Sequence, residues 1–338
     1  EIKKVFDLRF NFSQSEQERD DLIEEIKSFI NKEKDLSIIR NDDLNEDLKE
    51  IIRANLEGLA MFFLKSRDEF IDFSDFKLGN IIFANQIIES NFNFKEAISR
   101  FMEISSVNSK NIRIIESSET PSYLCGILKQ GVLLPNEASI VLTRTSDTIH
   151  DVFQLPQSLS SEEIREISSL EKEDKIKYLE SKELLEEISV DSKKALKEAD
   201  LIIYGSGTPF SSLLPSLNLR GAAEVISNNH CPKILVANLK KETDNFFSVN
   251  QLVRDLLKFT LKHDKKDDID PRSLITHLLV SKRNSTASND ESLILYCKDE
   301  IRKEFPWIEL IEEDLSSSEY PHSHDGNKLK ESILRILG

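Results

Sequence analysis

The sequence predicts an α/β protein with a mostly parallel sheet, a helical N-terminal part and a charged helical insertion. From about residue 200 onwards, short apolar segments alternate with longer amphipathic segments, which is the order of a β-α-β-α chain. Before about residue 110, apolar residues recur at the three- and four-residue spacing of one helix face. We therefore expect one α/β domain over residues 1–338.

The N-terminal part, residues 1–110, is predicted to be mainly helical. Its apolar stripes lie at 22–30, 44–63, 81–88 and 97–104. Each stripe suits a helix that packs one face into a core. Residues 111–157 change to short segments rich in β-branched residues and separated by Gly and Pro. This change predicts short strands at 111–117, 123–131, 138–144 and 149–155.

Residues 158–199 form the charged segment, which opens with Ser-Ser-Glu-Glu, a pattern that favours a helix start. We interpret it as a helical insertion with a solvated face. Residues 200–338 alternate between predicted strands (201–204, 233–239, 275–281, 307–313) and predicted helices (near 222–226, 249–259, 292–301, 328–337). Short, continuous apolar strands predict a parallel sheet covered on both faces, which binds ligands beyond the carboxyl ends of its strands.

Composition excludes several classes of protein. The formal charge is −16, from 61 acidic and 45 basic residues, and no basic stripe with interleaved aromatic residues occurs, so we expect no nucleic-acid partner. The three cysteines are far apart and fit neither a disulfide framework nor a zinc ribbon. With no apolar run long enough to cross a bilayer and no signal peptide at the N-terminus, we expect a cytoplasmic protein without a membrane partner.

The segment ADLIIYGSGTPFSSLLPSL is the most informative motif. An apolar strand runs into a Gly-x-Gly turn formed by Gly205 and Gly207, and hydroxyls follow at Thr208, Ser211 and Ser212. A glycine turn between a strand and a helix start can present backbone N–H groups to a phosphate or carboxylate. The alternative is an ordinary tight turn from strand to helix.

Further candidate ligand contacts lie at the starts of other helices. Asn238, Thr243 and Asp244 follow the second predicted strand, where they could hold a ribose hydroxyl or a metal ion or simply form a turn. Gly79 and Asn80 open an apolar helix, where they could contact a phosphate or only cap the helix.

The metal candidates are weaker. Asp72 and Asp75 could hold a cation between phosphate oxygens or act as loop and cap residues. His322 and His324 make a poor zinc set, because no cysteine and no further histidine lies nearby, and Asp325 suits a helix start. No serine lies in a Gly-x-Ser-x-Gly segment, so a Ser-His-Asp hydrolase is not indicated.

Four segments, taken in order, resemble one known family. They are 71–90 with its Gly-Asn pair, 199–226 with the Gly-x-Gly turn, 236–257 with Asn and Glu-Thr-Asp after a strand, and 322–334 with His-Asp before the last helix. This family contains the 2-phospho-L-lactate transferases of deazaflavin coenzyme biosynthesis and the bacterial putative gluconeogenesis factors. The resemblance extends over nearly the whole chain.

The resemblance implies a Rossmann-like three-layer sandwich with a nucleotide phosphate over the turn that begins at Gly205. In the transferases, a magnesium-dependent reaction moves a phospholactyl group from a nucleoside-diphosphate-linked donor to a deazaflavin alcohol and releases a nucleoside monophosphate. The gluconeogenesis factors resemble nucleotide-sugar binders without an established reaction. We therefore expect a nucleotide-linked small molecule as partner and magnesium as cofactor, while a regulatory binder, a degenerate scaffold and a homo-oligomer stay open.

The chain departs from the family at two places. Family members open with a strand and a Gly-rich turn, followed by a second strand and paired aspartates, whereas EIKKVFDL resembles the helix that follows those elements. We therefore expect the sequence to be a piece of a longer protein. The turn at Lys240 and Lys241 is shorter than the corresponding Gly-containing loop of the family, so the resemblance does not fix the donor specificity.

Overall fold

The computed structural model describes most of the chain. The described residues are 6, 8, 16–37, 46–66, 77–105, 111–143, 147–241, 248–264, 269–285 and 292–338. They divide into two compact units, Glu1–Ile115 and Glu116–Gly338.

The first unit is helical, as predicted. Its described helices are α1 (Glu16–Ile30), α2 (Glu46–Ser66), α3 (Leu78–Glu89) and α4 (Phe94–Ile104). Phe29, Ile52 and Leu78 are almost fully buried in its core. Between α2 and α3, the Oδ1 atom of Asn55 accepts hydrogen bonds from the side-chain amides of Asn85 (3.1 Å) and Gln86 (2.6 Å). These buried amides fix how the two helices pack, because an unpaired amide would be costly there.

The second unit begins with a small antiparallel sheet. Its strands are β1 (Tyr123–Leu128), β2 (Leu133–Leu134) and β3 (Ile149–Leu155), in the order β2-β1-β3. Tyr123 lies opposite Leu155, and the register shifts between Ile127 and Leu128.

Two of the four strands predicted between residues 111 and 157 are wrong. Residues 111–117 form no strand, and the segment predicted as a strand at 138–144 contains helix α5 (Glu137–Leu142). The β-branched pair inside α5 suggested a strand, but Asn136 and Ser139 form a reciprocal capping box that starts a helix.

The charged segment is helical, as predicted, and consists of α6 (Ser161–Ser169), α7 (Lys172–Lys182) and α8 (Val190–Glu198). Ser160 forms a capping box with Glu163 at the start of α6, and Ser189 caps α8. These polar starts explain why the segment is helical although its apolar content is low.

The main sheet is parallel throughout, with the order β4 (Ile202–Tyr204), β5 (Lys233–Val236), β6 (His277–Ser281) and β7 (Glu309–Glu313). Around it lie α9 (Leu214–Leu217), α10 (Ala222–Asn228), α11 (Val249–Thr260), α12 (Lys298–Glu304) and α13 (Gly326–Leu337). Short 3₁₀ segments occur at Pro271–Ser273 and Lys282–Asn284.

Successive side chains of this sheet enter different cores. Leu235 and Leu278 pack with residues of α10 and α11 on one face, whereas Ile234 and Leu279 pack with Leu315 and α13 on the other. Apolar contacts on both faces explain the continuous apolar strands and confirm the predicted α/β fold with a parallel sheet. Within the described residues, no helix is both long and apolar enough to cross a membrane.

The helix predicted near 292–301 is shorter than expected. Only Lys298–Glu304 is helical, and the preceding residues run extended. The amide of Ile294 donates to the carbonyl of Leu239, and the amide of Tyr296 donates to the carbonyl of Asn284. These contacts with neighbouring segments outweigh the local helical pattern, since they satisfy buried backbone groups.

Candidate functional site

The predicted anion turn lies at the carboxyl edge of the parallel sheet, directly after β4. Gly205 and Gly207 are both exposed, and neither adopts a positive φ. A β-carbon built at Gly205 would meet no atom within 4 Å, and one at Gly207 would meet only Cβ of Ser212 at 3.7 Å. The sharp backbone turn is therefore not what requires these glycines, and the space beside them is open.

Asn238 holds this turn in place. It follows β5, is buried, and its Nδ2 group donates to the carbonyls of Ser206 (3.3 Å) and Gly207 (3.2 Å). The amides of Ser206, Gly207 and Thr208, in contrast, donate to no acceptor among the residues that the structure describes. Three consecutive N–H groups at a strand end are thus available to water or to an anion.

The turn leads into a π-helix, Pro209–Leu213, which continues into α9. The carbonyl of Thr208 accepts from the amides of Ser212 (2.9 Å) and Leu213 (3.2 Å), but its side chain caps nothing. Ser211 is half-buried and Ser212 is exposed. This helical start is too short to provide an anion site alone, so the open amides of the turn carry the prediction.

The structure adds two residues that sequence reasoning did not place here, Ser206 and His324. Ser206 Oγ lies 3.3 Å from His324 Nδ1, although the residues are far apart in the chain. The loop between β7 and α13 folds back through an isolated bridge between Ser316 and His324. Asp325 caps α13 by accepting from the amides of Asn327 and Lys328, as its helix-start interpretation predicted.

Burial lowers the pKa of His324, and the carbonyl of Ala237 partly opposes this effect because it favours the protonated ring. The Nε2 atom is buried. A neutral ring at the edge of an open turn can either donate or accept at Nδ1. The Gly-Ser-Gly segment and the His-Asp segment were the only sequence signals that pointed to Ser206 and His324.

Basic side chains also follow the strands at this edge. Lys240 and Lys241 come after β5, and Lys282 and Arg283 come directly after β6. Arg283 donates to the carbonyl of Pro321 (3.1 Å), while Lys240 and Lys282 are exposed. Although the chain is acidic overall, these cations make the carboxyl edge locally suitable for an anionic ligand.

The remaining predicted site residues lie either in the first unit or outside the described part of the chain. Gly79 and Asn80 belong to the first unit. There Gly79 is buried, and a β-carbon on it would lie 3.1 Å from the carbonyl oxygen of Phe6, whereas Asn80 is exposed. The closely packed Phe6 gives Gly79 a structural role, and its predicted ligand contact stays a prediction.

Four predicted residues, namely Asp72, Asp75, Thr243 and Asp244, lie outside the described part of the chain. Within that part, no group of three or more His, Cys, Asp or Glu side chains could hold a metal ion.

A parallel sheet covered by helices on both faces, with an open polar turn at its carboxyl edge, defines a Rossmann-like α/β protein. The chain belongs to the CofD family, described as "2-phospho-L-lactate transferase CofD", which it matches over residues 17–301. This match confirms the resemblance noted from the four ordered segments.

Curated relatives agree with this family. A gluconeogenesis factor of Listeria innocua is 30% identical over 148 residues, 43% of this chain and 43% of the relative. A putative gluconeogenesis factor of Pasteurella multocida is 24% identical over 200 residues, 59% of this chain and 54% of the relative. The matched segments therefore span only about half the length of these relatives.

A solved structure shares the fold. A member of the UPF0052 family from Bacillus halodurans superposes with a TM-score of 0.56 and 16% sequence identity, over 97% of this chain and 88% of that structure. At this identity the likeness supports the α/β architecture alone.

Proposed function

We propose that this protein binds the diphosphate group of a nucleotide-linked small molecule on the turn after β4. Ser206, Gly207 and Thr208 supply the backbone N–H donors, and Gly205 leaves the space for the phosphate oxygens. Because the chain belongs to this family, the reaction that we propose is transfer of a phospho-acyl group from a nucleoside-diphosphate-linked donor, as in a 2-phospho-L-lactate transferase.

The observation that carries this proposal is the open turn itself. A β-carbon built at Gly205 would meet no atom within 4 Å, so the space beside this glycine is empty of protein atoms. Asn238 donates hydrogen bonds to the carbonyls of the turn and leaves its amides unused. The turn is thus held by its acceptors while its donors point to no protein group among the described residues. A diphosphate would satisfy several such donors at once.

Magnesium is the cofactor that we propose for the transfer reaction, in which it would neutralise charge on the phosphate oxygens. The described carboxylates near this edge do not fit a magnesium site. Asp314 pairs with Lys328 (2.6 Å), and Asp325 caps α13. We therefore derive no step through the metal ion from the described residues.

A second candidate function is a regulatory protein that binds a nucleotide sugar without turnover. The names of the curated relatives, gluconeogenesis factor and putative gluconeogenesis factor, favour it. The same turn would bind the ligand in both cases, because both ligands carry a diphosphate.

Thermal unfolding with added ligand separates these functions. Stabilisation by guanine nucleotides with magnesium, together with release of a nucleoside monophosphate from a donor, would support the transferase. Stabilisation by a uridine-diphosphate sugar without turnover would support the regulatory binder. If no nucleotide raises the unfolding temperature at concentrations well above about 1 mM, the proposal is wrong, because a ligand that binds only the folded state stabilises it by an amount that grows with the ratio of its concentration to its Kd.

The variant Gly205→Asp tests the location of the site. Its carboxylate would enter the open space and repel a diphosphate, so we expect affinity to fall about tenfold or more. His230→Asp is the matched control, because His230 is exposed and precedes β5, at the amino edge of the sheet. Equal affinities in these two variants would place the ligand elsewhere.

A further inference from the structure

The contact between Ser206 and His324 joins two loops at the candidate site. Ser206 lies in the open turn after β4, and His324 lies in the loop before α13. Their side chains meet with 3.3 Å between Oγ and Nδ1. Ser206 places its hydroxyl between the two glycines of the turn, so a hydrogen-bond partner of this hydroxyl changes whether its proton is available to a ligand.

The imidazole ring is held so that it acts on this hydroxyl through Nδ1. Its Nε2 atom is buried, and the carbonyl of Ala237 at the end of β5 lies beside the ring. The ring therefore presents to the turn the nitrogen that contacts Ser206.

We infer that His324 is a positioning residue that sets the direction of the Ser206 O–H bond towards the bound diphosphate. The inference rests on the proposed function, since it assigns a role within the same site. A serine hydroxyl has a single proton to donate. When Nδ1 carries a proton, it donates to Oγ and leaves the hydroxyl proton for a phosphate oxygen. When Nδ1 is bare, it accepts that proton, and Oγ then faces the anion with lone pairs only.

A nucleophilic Ser-His pair does not fit the same geometry. Ser206 lacks the positive φ of a serine on a strained nucleophile turn. The neighbouring carboxylate of Asp325 is engaged by the amides of α13 and does not orient the ring. His324 therefore acts by orienting a hydroxyl and not by activating one for covalent attack.

This role makes ligand binding depend on pH. A bound anion favours the ring with a proton on Nδ1, including the cationic form, so affinity rises as the pH falls through the titration of the ring. The charged groups on the elements around the ring are Asp325, Lys282 and Arg283, and the pair of Asp314 with Lys328. His322 is the other histidine on this loop, and its variant below separates its contribution from that of His324.

The test measures binding of a uridine-diphosphate sugar from about pH 5.5 to about pH 8 by isothermal titration calorimetry. This probe is chosen because its phosphates are doubly esterified and have no second ionisation near pH 6, unlike the terminal phosphate of a nucleoside diphosphate. In the native protein we expect the affinity to rise about threefold to tenfold towards the acidic end of this range. This is the size of effect expected from gaining one charge-assisted hydrogen bond.

Three variants separate positioning from packing. His324→Asn places an amide donor near the position of Nδ1, so affinity should stay within about threefold of the native value at low pH and become independent of pH. His324→Leu should lose about threefold to tenfold in affinity at low pH. Ser206→Ala should lose a similar factor, and adding His324→Leu to it should cost no more, because the two side chains act through one hydrogen bond.

His322→Asn is the control, since this exposed histidine lies on the same loop and its variant should keep the native pH profile. If His324→Leu does not fold, as judged by thermal unfolding, the Asn and Ala variants carry the test. A native pH profile in His324→Asn, or additive losses in the double variant, would overturn the inference while leaving the proposed function intact. Failure of the native protein to bind both the uridine-diphosphate sugar and a guanine nucleotide would overturn both.

Discussion

Two polar clusters in the second unit differ in whether the protein satisfies their hydrogen-bond donors. The Lys262 cluster consists of Lys262, Asp151 and Glu183. The ammonium group of Lys262 lies 2.8 Å from Glu183 Oε1, 3.3 Å from Asp151 Oδ1 and 3.1 Å from the carbonyl of Val152. It also lies 4.4 Å from the centre of the Phe153 ring. Every donor of this cation has a partner in the protein.

The β4 turn cluster, formed by Ser206, Asn238 and His324 with the turn around them, is different. The carbonyls of Ser206 and Gly207 accept from Asn238, but three amide donors have no partner among the described residues. Removing one partner of a closed buried cluster leaves an uncompensated charge and destabilises the fold, whereas an open cluster has donors left for a ligand. The comparison predicts that changes in the first cluster affect unfolding and that changes in the second affect binding.

The largest expected effect on stability is that of Lys262→Met. This change leaves the carboxylate of Glu183, whose side chain is 3% exposed, without its lysine partner, while Asp151, which is 12% exposed, keeps its pair with Lys258 at 3.1 Å. We expect the free energy of unfolding, measured with urea at pH 7, to fall by about 3 to 5 kcal/mol.

Lys177→Met serves as the control for this change. Lys177 pairs with Asp174 on the exposed face of α7, so its loss should change the free energy of unfolding by less than about 0.5 kcal/mol. Similar losses in the two variants would show that burial does not distinguish the two ion pairs.

The second prediction concerns Asp255, a buried carboxyl group on α11. Burial raises its pKa to about 6, against an ordinary value of 3.8, and the hydrogen bond from Gln251 opposes the shift. Because the folded state holds this proton more tightly than the unfolded state, stability falls as the pH rises from about 4 to about 6 and the loss persists above that range.

Asp255→Asn removes this titration. We expect it to raise the free energy of unfolding by about 1 to 2 kcal/mol at pH 7.5 and to have little effect at about pH 4. The measurement is urea unfolding at both pH values, with Asp174→Asn on the exposed face of α7 as the control. A gain of equal size at both pH values would contradict the assignment.

Two glycines sharpen the comparison with a smaller effect. A β-carbon at Gly126 in β1 would lie 3.2 Å from the carbonyl oxygen of Asp151, so Gly126→Ala should lower the free energy of unfolding by about 1 to 2 kcal/mol. Gly205→Ala meets nothing within 4 Å and should change it by less than about 0.5 kcal/mol.

The same Gly205→Ala variant should weaken binding of a uridine-diphosphate sugar by about threefold or more, because its methyl group occupies the space left for phosphate oxygens. If Gly205→Ala lost stability but kept its affinity for the ligand, the assignment of the turn as an open binding site would be contradicted. Titration calorimetry and urea unfolding of the same preparation give both values.

Much of the fold was predictable where local signals agreed. The helices of the first unit follow from their apolar spacing, and β4, β5 and β6 follow from their largely apolar runs, whereas β7 (Glu-Leu-Ile-Glu-Glu) is more polar. Three predictions of local structure were wrong, at 111–117, 138–144 and 292–297. At 138–144 a capping box overrode β-branched residues, and at 292–297 contacts with Leu239 and Asn284 overrode a helical pattern. Local composition is a weak guide when caps or neighbours satisfy the backbone.

The candidate site was predictable only in part. Glycines and hydroxyls after an apolar strand indicated the β4 turn, and the parallel order indicated that Asn238 would lie beside it. Nothing local indicated that His324 would reach Ser206, since the contact depends on how the loop after β7 folds back.

The sequence by itself determined the helices of the first unit, the strands of the parallel sheet, which edge of that sheet carries the glycine turn, and the family of the chain. These properties follow from periodicity and from short motifs, which involve residues close together in the chain. The tertiary structure decided which donors stay open and which histidine faces them. Such pairings depend on the folding back of distant segments, and their geometry is set by packing and not by any local pattern.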